Sequence, residues 1–165
     1  MGLFKKFMKK KAGKDPHLTI CSPLTGIAAT LSEVNDPVFA EEMMGKGIAI
    51  IPTIGQVVAP FDGEIITVFR TLHAVTMKGE NGAEIIIHVG LDTVSLNGQY
   101  FESHVADGTY VRKGDLLLTF DLDKIKEEGY DVITPIVITN SSDFQSVETI
   151  KKKEVNSGDL LLSLT

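Results

Sequence analysis

Histidine is the residue type in this chain best suited to chemistry near neutral pH, because an unperturbed pKa of about 6.5 leaves a lone pair free at pH 7. The chain has four: His17, His73, His88 and His104. Two of them flank a hairpin signal. The segment reads Thr71-Leu72-His73-Ala74-Val75-Thr76-Met77-Lys78, then Gly79-Glu80-Asn81-Gly82, then Ala83-Glu84-Ile85-Ile86-Ile87-His88-Val89-Gly90. Two β-rich runs around a Gly/Asn turn predict an antiparallel strand pair. With Glu80-Asn81 as the loop, His73 lies directly opposite His88. With Asn81-Gly82 as the loop, His88 faces Val75 and His73 is its diagonal neighbour. Either register puts both imidazoles on one face, with directly opposed Cβ atoms about 4.5–5.5 Å apart. An odd-length loop would break this arrangement by sending one ring to the other face.

Adjacent imidazoles have three uses. One ring attacks while the other stabilises incoming charge; both ligate a metal; or they form an inert cross-strand pair. Two neighbours bear on the choice. Asp92, four residues after His88, offers a carboxylate to orient groups and tune basicity. Thr71, two before His73, offers a hydroxyl to fix that ring's tautomer. A metal site would want a third protein ligand, and the chain has neither His-x-His nor His-Glu-x-x-His. Cys21 is the only cysteine, which excludes an internal disulfide and a cysteine-based zinc site. No intrinsic metal is expected; zinc at His73 and His88 would need a carboxylate supplied by a partner.

The elements around the pair read as β-structure. Runs rich in Ile, Val, Leu and Thr recur at His17–Cys21, Gly26–Leu31, Ile48–Ile51, Gly63–Phe69, Ala74–Lys78, Glu84–Val89, Leu116–Asp121 and Asp159–Leu164. Gly, Pro, Asn and Asp punctuate them, which predicts an all-β antiparallel sandwich or barrel. Helix is expected only in short turns. One is Asp36 to Gly45, with Asp at the N-cap, Pro at the first position and a terminal Gly. The other is Asp123 to Gly129. Internal echoes predict a pseudo-duplication. Ser22-Pro23-Leu24-Thr25-Gly26 resembles Ala59-Pro60-Phe61-Asp62-Gly63, and Val111-Arg112-Lys113-Gly114-Asp115-Leu116-Leu117-Leu118 resembles Val155-Asn156-Ser157-Gly158-Asp159-Leu160-Leu161-Leu162.

At 165 residues, 43% hydrophobic and 23% charged, the chain suits one domain with a real core. No apolar run is long enough for a membrane span, and the N-terminus lacks the apolar region of a secretory signal. The net charge of −6 is split. Residues 1–14 carry six lysines and no acid, so the remainder carries −12. An acidic body excludes nucleic-acid phosphates as a partner and suits a basic protein face. In the tail, Leu3, Phe4, Phe7 and Met8 share one helical face among lysines, a composition for weak contact with anionic lipid. The expected organisation is a basic amphipathic or free tail over 1–14 and one domain over 15–165.

At the histidine segment the chain closely resembles the glucose-type IIA component of the bacterial phosphoenolpyruvate-dependent sugar phosphotransferase system. The resemblance is carried by Thr71-Leu72-His73-Ala74 and Glu84-Ile85-Ile86-Ile87-His88-Val89-Gly90-Leu91-Asp92-Thr93-Val94. Supporting matches are Pro37-Val38-Phe39-Ala40-Glu41, Gly45-Lys46-Gly47-Ile48-Ala49-Ile50, Val58-Ala59-Pro60-Phe61-Asp62-Gly63 and Thr134-Pro135-Ile136-Val137-Ile138-Thr139-Asn140. The most family-specific part is 36–140. The resemblance implies a compact β-sandwich without cofactor and a cytoplasmic phosphoryl carrier; a peripheral place at the inner membrane face is the expectation of the tail's composition alone, with a solvated terminus as the alternative. The resemblance implies that His88 takes a phosphoryl group on Nε2 from the histidine-containing phosphocarrier protein. It implies onward transfer to a cysteine of the IIB domain of a sugar permease, assisted by His73 with Thr71 as its hydroxyl partner. It also implies regulatory target proteins for the unphosphorylated face. The ends of the chain suggest a free-standing component.

Both transfer partners must reach His88, so its surroundings are expected to be apolar and open. The candidates are Val38, Phe39, Met43, Met44, Phe69, Ile86 and Val94. The chain departs from the family in one loop: Leu96-Asn97-Gly98-Gln99-Tyr100-Phe101 stands where Leu-Lys-Gly-Glu-Gly-Phe is common. Two rival readings are weaker. A biotin or lipoyl carrier would use Lys78, but that lysine normally has methionine on both sides, and Gly79 follows here. A β-sheet zinc peptidase using His73, His88 and Asp92 would want the missing His-x-His.

Overall fold

The computed structural model describes residues 18–165; the basic segment 1–14 and His17 lie outside the described residues. In chain order the strands are β1 (Leu18–Cys21), β2 (Gly26–Ala29), β3 (Lys46–Pro52), β4 (Gln56–Val58), β5 (Gly63–Val68), β6 (Ala74–Gly79) and β7 (Glu84–His88). They continue with β8 (Phe101–Ser103), β9 (Tyr110–Val111), β10 (Leu116–Phe120), β11 (Thr134–Ile138), β12 (Val147–Thr149), β13 (Glu154–Val155) and β14 (Leu160–Leu164). An eight-stranded sheet has the order β13-β2-β3-β11-β7-β6-β5-β9, and two three-stranded sheets have the orders β1-β14-β12 and β4-β10-β8. The paired strands are antiparallel. The sheets stay open, so of the two expected architectures the fold is a sandwich rather than a barrel.

Strand alternation divides the apolar residues between two clusters. Ile85 and Ile87 on β7, Ile136 and Ile138 on β11, and Ile48 and Ile50 on β3 point into the main core with Leu117, Leu118, Leu161 and Leu162. The intervening residues Ile86, Val137 and Ala49 point to the opposite face and join a second cluster with Leu31, Val34, Phe39, Ala74, Leu91 and Ile133. The chain from Leu31 to Met44 lies over that face and supplies part of the cover. Each large aliphatic side chain buried this way contributes about 1.5–3 kcal/mol. Because both faces of β11 are covered, all five of its residues are buried.

The echoed sequences build the same device twice. Asp115 accepts from the Arg112 N–H and Asp159 from the Asn156 N–H, each at 2.9 Å. The Ala59 N–H donates to the Asp115 carbonyl and the Ser22 N–H to the Asp159 carbonyl. The Gly114 and Gly158 N–H groups return to the carbonyls of Ala59 and Ser22. The short strands that enter the two turns, β9 and β13, end the large sheet at its two edges.

Three expectations need correction. The first helix is a single turn, Pro37–Ala40, capped by the Asp36 carboxylate, which accepts from the Val38 N–H at 3.0 Å. It stops early because Glu42 adopts a φ of +56°, outside the helical region. The second helix is Leu122–Glu127, one residue earlier than expected, because its cap is Asp121, which accepts from the Lys124 N–H. Strand β11 was not among the predicted runs. Proline argues against a central strand, yet Pro135 pairs with Ala49 while the β7 ladder reaches only to Ile136 opposite Ile87. The proline therefore has a ladder partner on one side only. Among the described residues, no helix is long and apolar enough to cross a membrane.

Candidate functional site

His88 closes β7, and His73 immediately precedes β6. The hairpin between them has neither anticipated register. Ala74 pairs with His88 and Lys78 with Glu84, around the loop Glu80-Asn81-Gly82. The Gly79 N–H donates to the Ala83 carbonyl at 2.8 Å, and Gly82 has a φ of +91°. Three-residue hairpin loops end on a left-handed residue, which glycine adopts without strain.

In this odd-length register, regular alternation would separate the two imidazoles. They meet because His73 stands outside the strand. The Leu72 N–H donates to the Phe69 carbonyl at 2.8 Å, and Leu72 itself has a φ of +61°. This left-handed residue breaks the alternation just before His73. The two rings meet edge to face, with centroids 4.8 Å apart and planes at 86°. Phe69 packs edge-on against His73 at 5.5 Å, and Phe39 lies tilted against His88 at 5.1 Å.

Hydrogen bonds orient both rings. His88 Nδ1 lies 2.8 Å from the Gly90 carbonyl oxygen. A carbonyl only accepts, so Nδ1 carries the proton and Nε2 of the neutral ring keeps its lone pair. His73 Nδ1 lies 2.8 Å from the Thr71 hydroxyl. The turn after β7 is tied on both sides: the Val89 N–H donates to the His73 carbonyl at 2.7 Å, and the Leu91 N–H to the Asp131 carbonyl at 2.9 Å. Gly90 sits at a φ of +76°, and a Cβ there would approach the Thr93 methyl to 2.7 Å and the Asp131 carbonyl oxygen to 2.9 Å.

The electrostatics keep both rings neutral at pH 7. His73 is lowered to about 4, first by burial and then by the neighbouring His88, against the backbone of Thr71, which favours the protonated ring. His88 is lowered by burial, against the Gly90 hydrogen bond and the charges of Asp36 and Asp92. A neutral imidazole with a directed lone pair beside a second neutral imidazole is equipped for nucleophilic transfer of an anionic group. Among the described residues, no group of three or more His, Cys, Asp or Glu side chains is placed to hold a metal ion.

The structure sorts the candidate residues. His73 is buried, His88 and Thr71 are half-buried, and Asp92 is exposed in a left-handed conformation. Val38, Met43 and Val94 are exposed, and Met44 and Phe69 are half-buried. Phe39 and Ile86 are each only 4% exposed, which corrects their assignment to an open face. They belong to the cluster beneath the rings, and Phe39 acts by packing on His88. His104 is apart from the pair, bonded to Thr119 beside the β10–β8 ladder. Sequence reasoning missed Asp36 as a charge felt by His88, although its role as a cap was legible. It also missed Gly90 as the tautomer-setting acceptor and the exposed cross-strand pair Ile27 and Ile51. In the departing loop, Tyr100 has a φ of +76°, the conformation for which the usual glycine is suited, and its hydroxyl donates to Glu128.

Comparison with known proteins places this geometry. Residues 18–144 match the family model for the phosphoenolpyruvate-dependent sugar phosphotransferase system, EIIA 1. The chain is 46% identical over 157 residues to the PTS system glucose-specific EIIA component of Oceanobacillus iheyensis, covering 95% of each. It is 49% identical over 153 residues to the PTS system beta-glucoside-specific EIIBCA component of Dickeya chrysanthemi, covering 93% of this chain and 24% of that protein. Among solved structures, glucose permease IIA from Mycoplasma capricolum superposes with a TM-score of 0.83 at 38% identity, covering 90% of this chain and 96% of that one.

Proposed function

Since the chain belongs to the EIIA 1 family of the phosphoenolpyruvate-dependent sugar phosphotransferase system, we propose that it is a phosphoryl carrier in sugar uptake with His88 as its acceptor. The observation that carries this reading is the Nδ1 hydrogen bond to the Gly90 carbonyl, which leaves Nε2 of a half-exposed ring as the nucleophile. In the first step the Nε2 lone pair forms a bond to phosphorus. The donor's own P–N bond breaks, and its electron pair returns to the donor imidazole. The donor is the histidine-containing phosphocarrier protein. In the second step a cysteine thiolate of a permease IIB domain attacks phosphorus, and the pair returns to His88 Nε2. That a relative joins IIB, IIC and IIA units in one named component supports such a partner.

His73 serves the phosphoryl oxygens. With the Thr71 hydroxyl donating to its Nδ1, the His73 proton sits on Nε2, available to a developing negative charge. Val38, Met43 and Val94 form the open part of the docking face, with Asp36 and Asp92 as acids for a basic partner. The protein acts in the cytoplasm, and its lysine-rich residues 1–14 add contact with anionic lipid near the permease. The test is incubation with phosphoenolpyruvate, the first enzyme of the system and the phosphocarrier, followed by mapping of the label. His88→Gln should abolish labelling while leaving the unfolding transition intact. Label on His104 of the wild-type protein would overturn the assignment.

A further inference from the structure

We infer that Thr93 is a positioning residue that sets which nitrogen of His88 is nucleophilic, acting through the backbone of Val89 and Gly90. Its catalytic consequence rests on the phosphoryl-transfer reading; its structural core does not. Thr93 is fully buried, and its hydroxyl donates to the carbonyl of Val89, four residues earlier and also fully buried. The carbonyl that receives His88 Nδ1 belongs to the next residue, Gly90. The direction of that carbonyl depends on the two peptide planes flanking the Gly90 Cα. Thr93 holds the first plane through the Val89 carbonyl. The Asp131 carbonyl holds the second through the Leu91 N–H at 2.9 Å.

Gly90 is the residue that needs holding. At a φ of +76° it is in the left-handed region, where glycine moves most freely. The Thr93 methyl also lies where a Cβ on Gly90 would collide, so hydroxyl and methyl both bear on the same turn. Without the hydroxyl, the buried Val89 carbonyl loses its donor, an outcome costly enough to rotate the plane. The Gly90 carbonyl then swings with it, the Nδ1–H bond weakens, and His88 samples both tautomers. Nε2 is protonated, and therefore not nucleophilic, in the second of these.

The experiment uses the full chain, unphosphorylated, with ring-labelled histidine and nitrogen NMR. The wild type should show His88 protonated on Nδ1 and bare on Nε2. Thr93→Val should show a mixture, and Thr93→Ser, which keeps the hydroxyl, should restore the wild-type pattern. Acceptance from the phosphocarrier should fall about tenfold in Thr93→Val, the effect of one hydrogen bond, and recover in Thr93→Ser. Should the valine variant not fold, Thr93→Cys, close in size with a far weaker donor, takes its place. A folded Val or Cys variant with the wild-type tautomer would overturn the inference. So would a Ser variant as mixed as Val, since methyl packing would then be the cause. Failure of the wild type to take label at all would instead sink the functional reading and leave the tautomer result standing.

Discussion

His73 shows how the burial of one imidazole ties stability to pH. Unfolded, its imidazole titrates near 6.5; in the folded chain it titrates at about 4. Between those values the unfolded chain holds a proton that the folded chain does not. Stability is therefore full above about pH 6.5 and is lost as pH falls toward 4, by up to about 3 kcal/mol from this residue. His88 is lowered too and adds a contribution of the same sign. His73→Gln, which has no proton to take up, should flatten the loss of unfolding free energy between pH 7 and 4.5. Denaturant melts of both proteins at those pH values read this out; parallel curves would show that the burial of His73 is not what shifts its titration. In phosphoryl transfer the same variant should accept from the phosphocarrier but donate more slowly to the IIB cysteine, because a charge-stabilising donor is gone. At this scale the meeting of His73 with His88 and the Thr71 hydroxyl beside His73 were expected from spacing and resemblance, and the structure brings those three groups together. The influence of Gly90 and Asp36 was not legible in the sequence, because one acts through a backbone carbonyl and the other from a segment over fifty residues away.

The β6–β7 hairpin carries the lesson at the scale of elements. Both anticipated registers assumed a two-residue loop, and the actual loop has three residues. A one-residue change of register should have separated the histidines, but the left-handed Leu72 cancels it. No periodicity in the sequence signals a non-glycine residue with positive φ. Gly82 tests the loop itself. Its φ is +91°, and a Cβ there would meet nothing within 4 Å. Gly82→Ala should therefore cost only backbone strain, about 1 kcal/mol, lowering Tm by about 2–4 °C. Phosphoryl acceptance should be unchanged, since the loop lies at the far end of the hairpin from His88. Calorimetry with the labelling assay checks both. Loss of acceptance at full thermal stability would mean that the loop, and not the Leu72 turn, sets the ring contact.

For the whole molecule the charge split is the property with the widest reach: six lysines in residues 1–14 against a remainder of −12. Each lysine near an anionic surface contributes about 1 kcal/mol at low salt, and less as salt screens it. The full chain should sediment with anionic vesicles, and a chain lacking residues 1–14 should not. The truncation should also slow transfer to a membrane-embedded permease while leaving transfer to an isolated IIB domain unchanged, because the tail changes only local concentration. Absence of vesicle binding by the full chain at low salt would remove the role. Composition and punctuation were enough to specify an all-β architecture. The two Gly-Asp echoes were enough to reveal its duplication, because turn chemistry and strand period are local and are written in adjacent residues. The open sandwich rather than a barrel, the central place of a proline-bearing strand, and the second apolar cluster under Leu31–Met44 come from pairings between distant segments. The approach of the two imidazoles belongs with them. It depends on a backbone conformation that is held by packing and has no signature in the residues that adopt it.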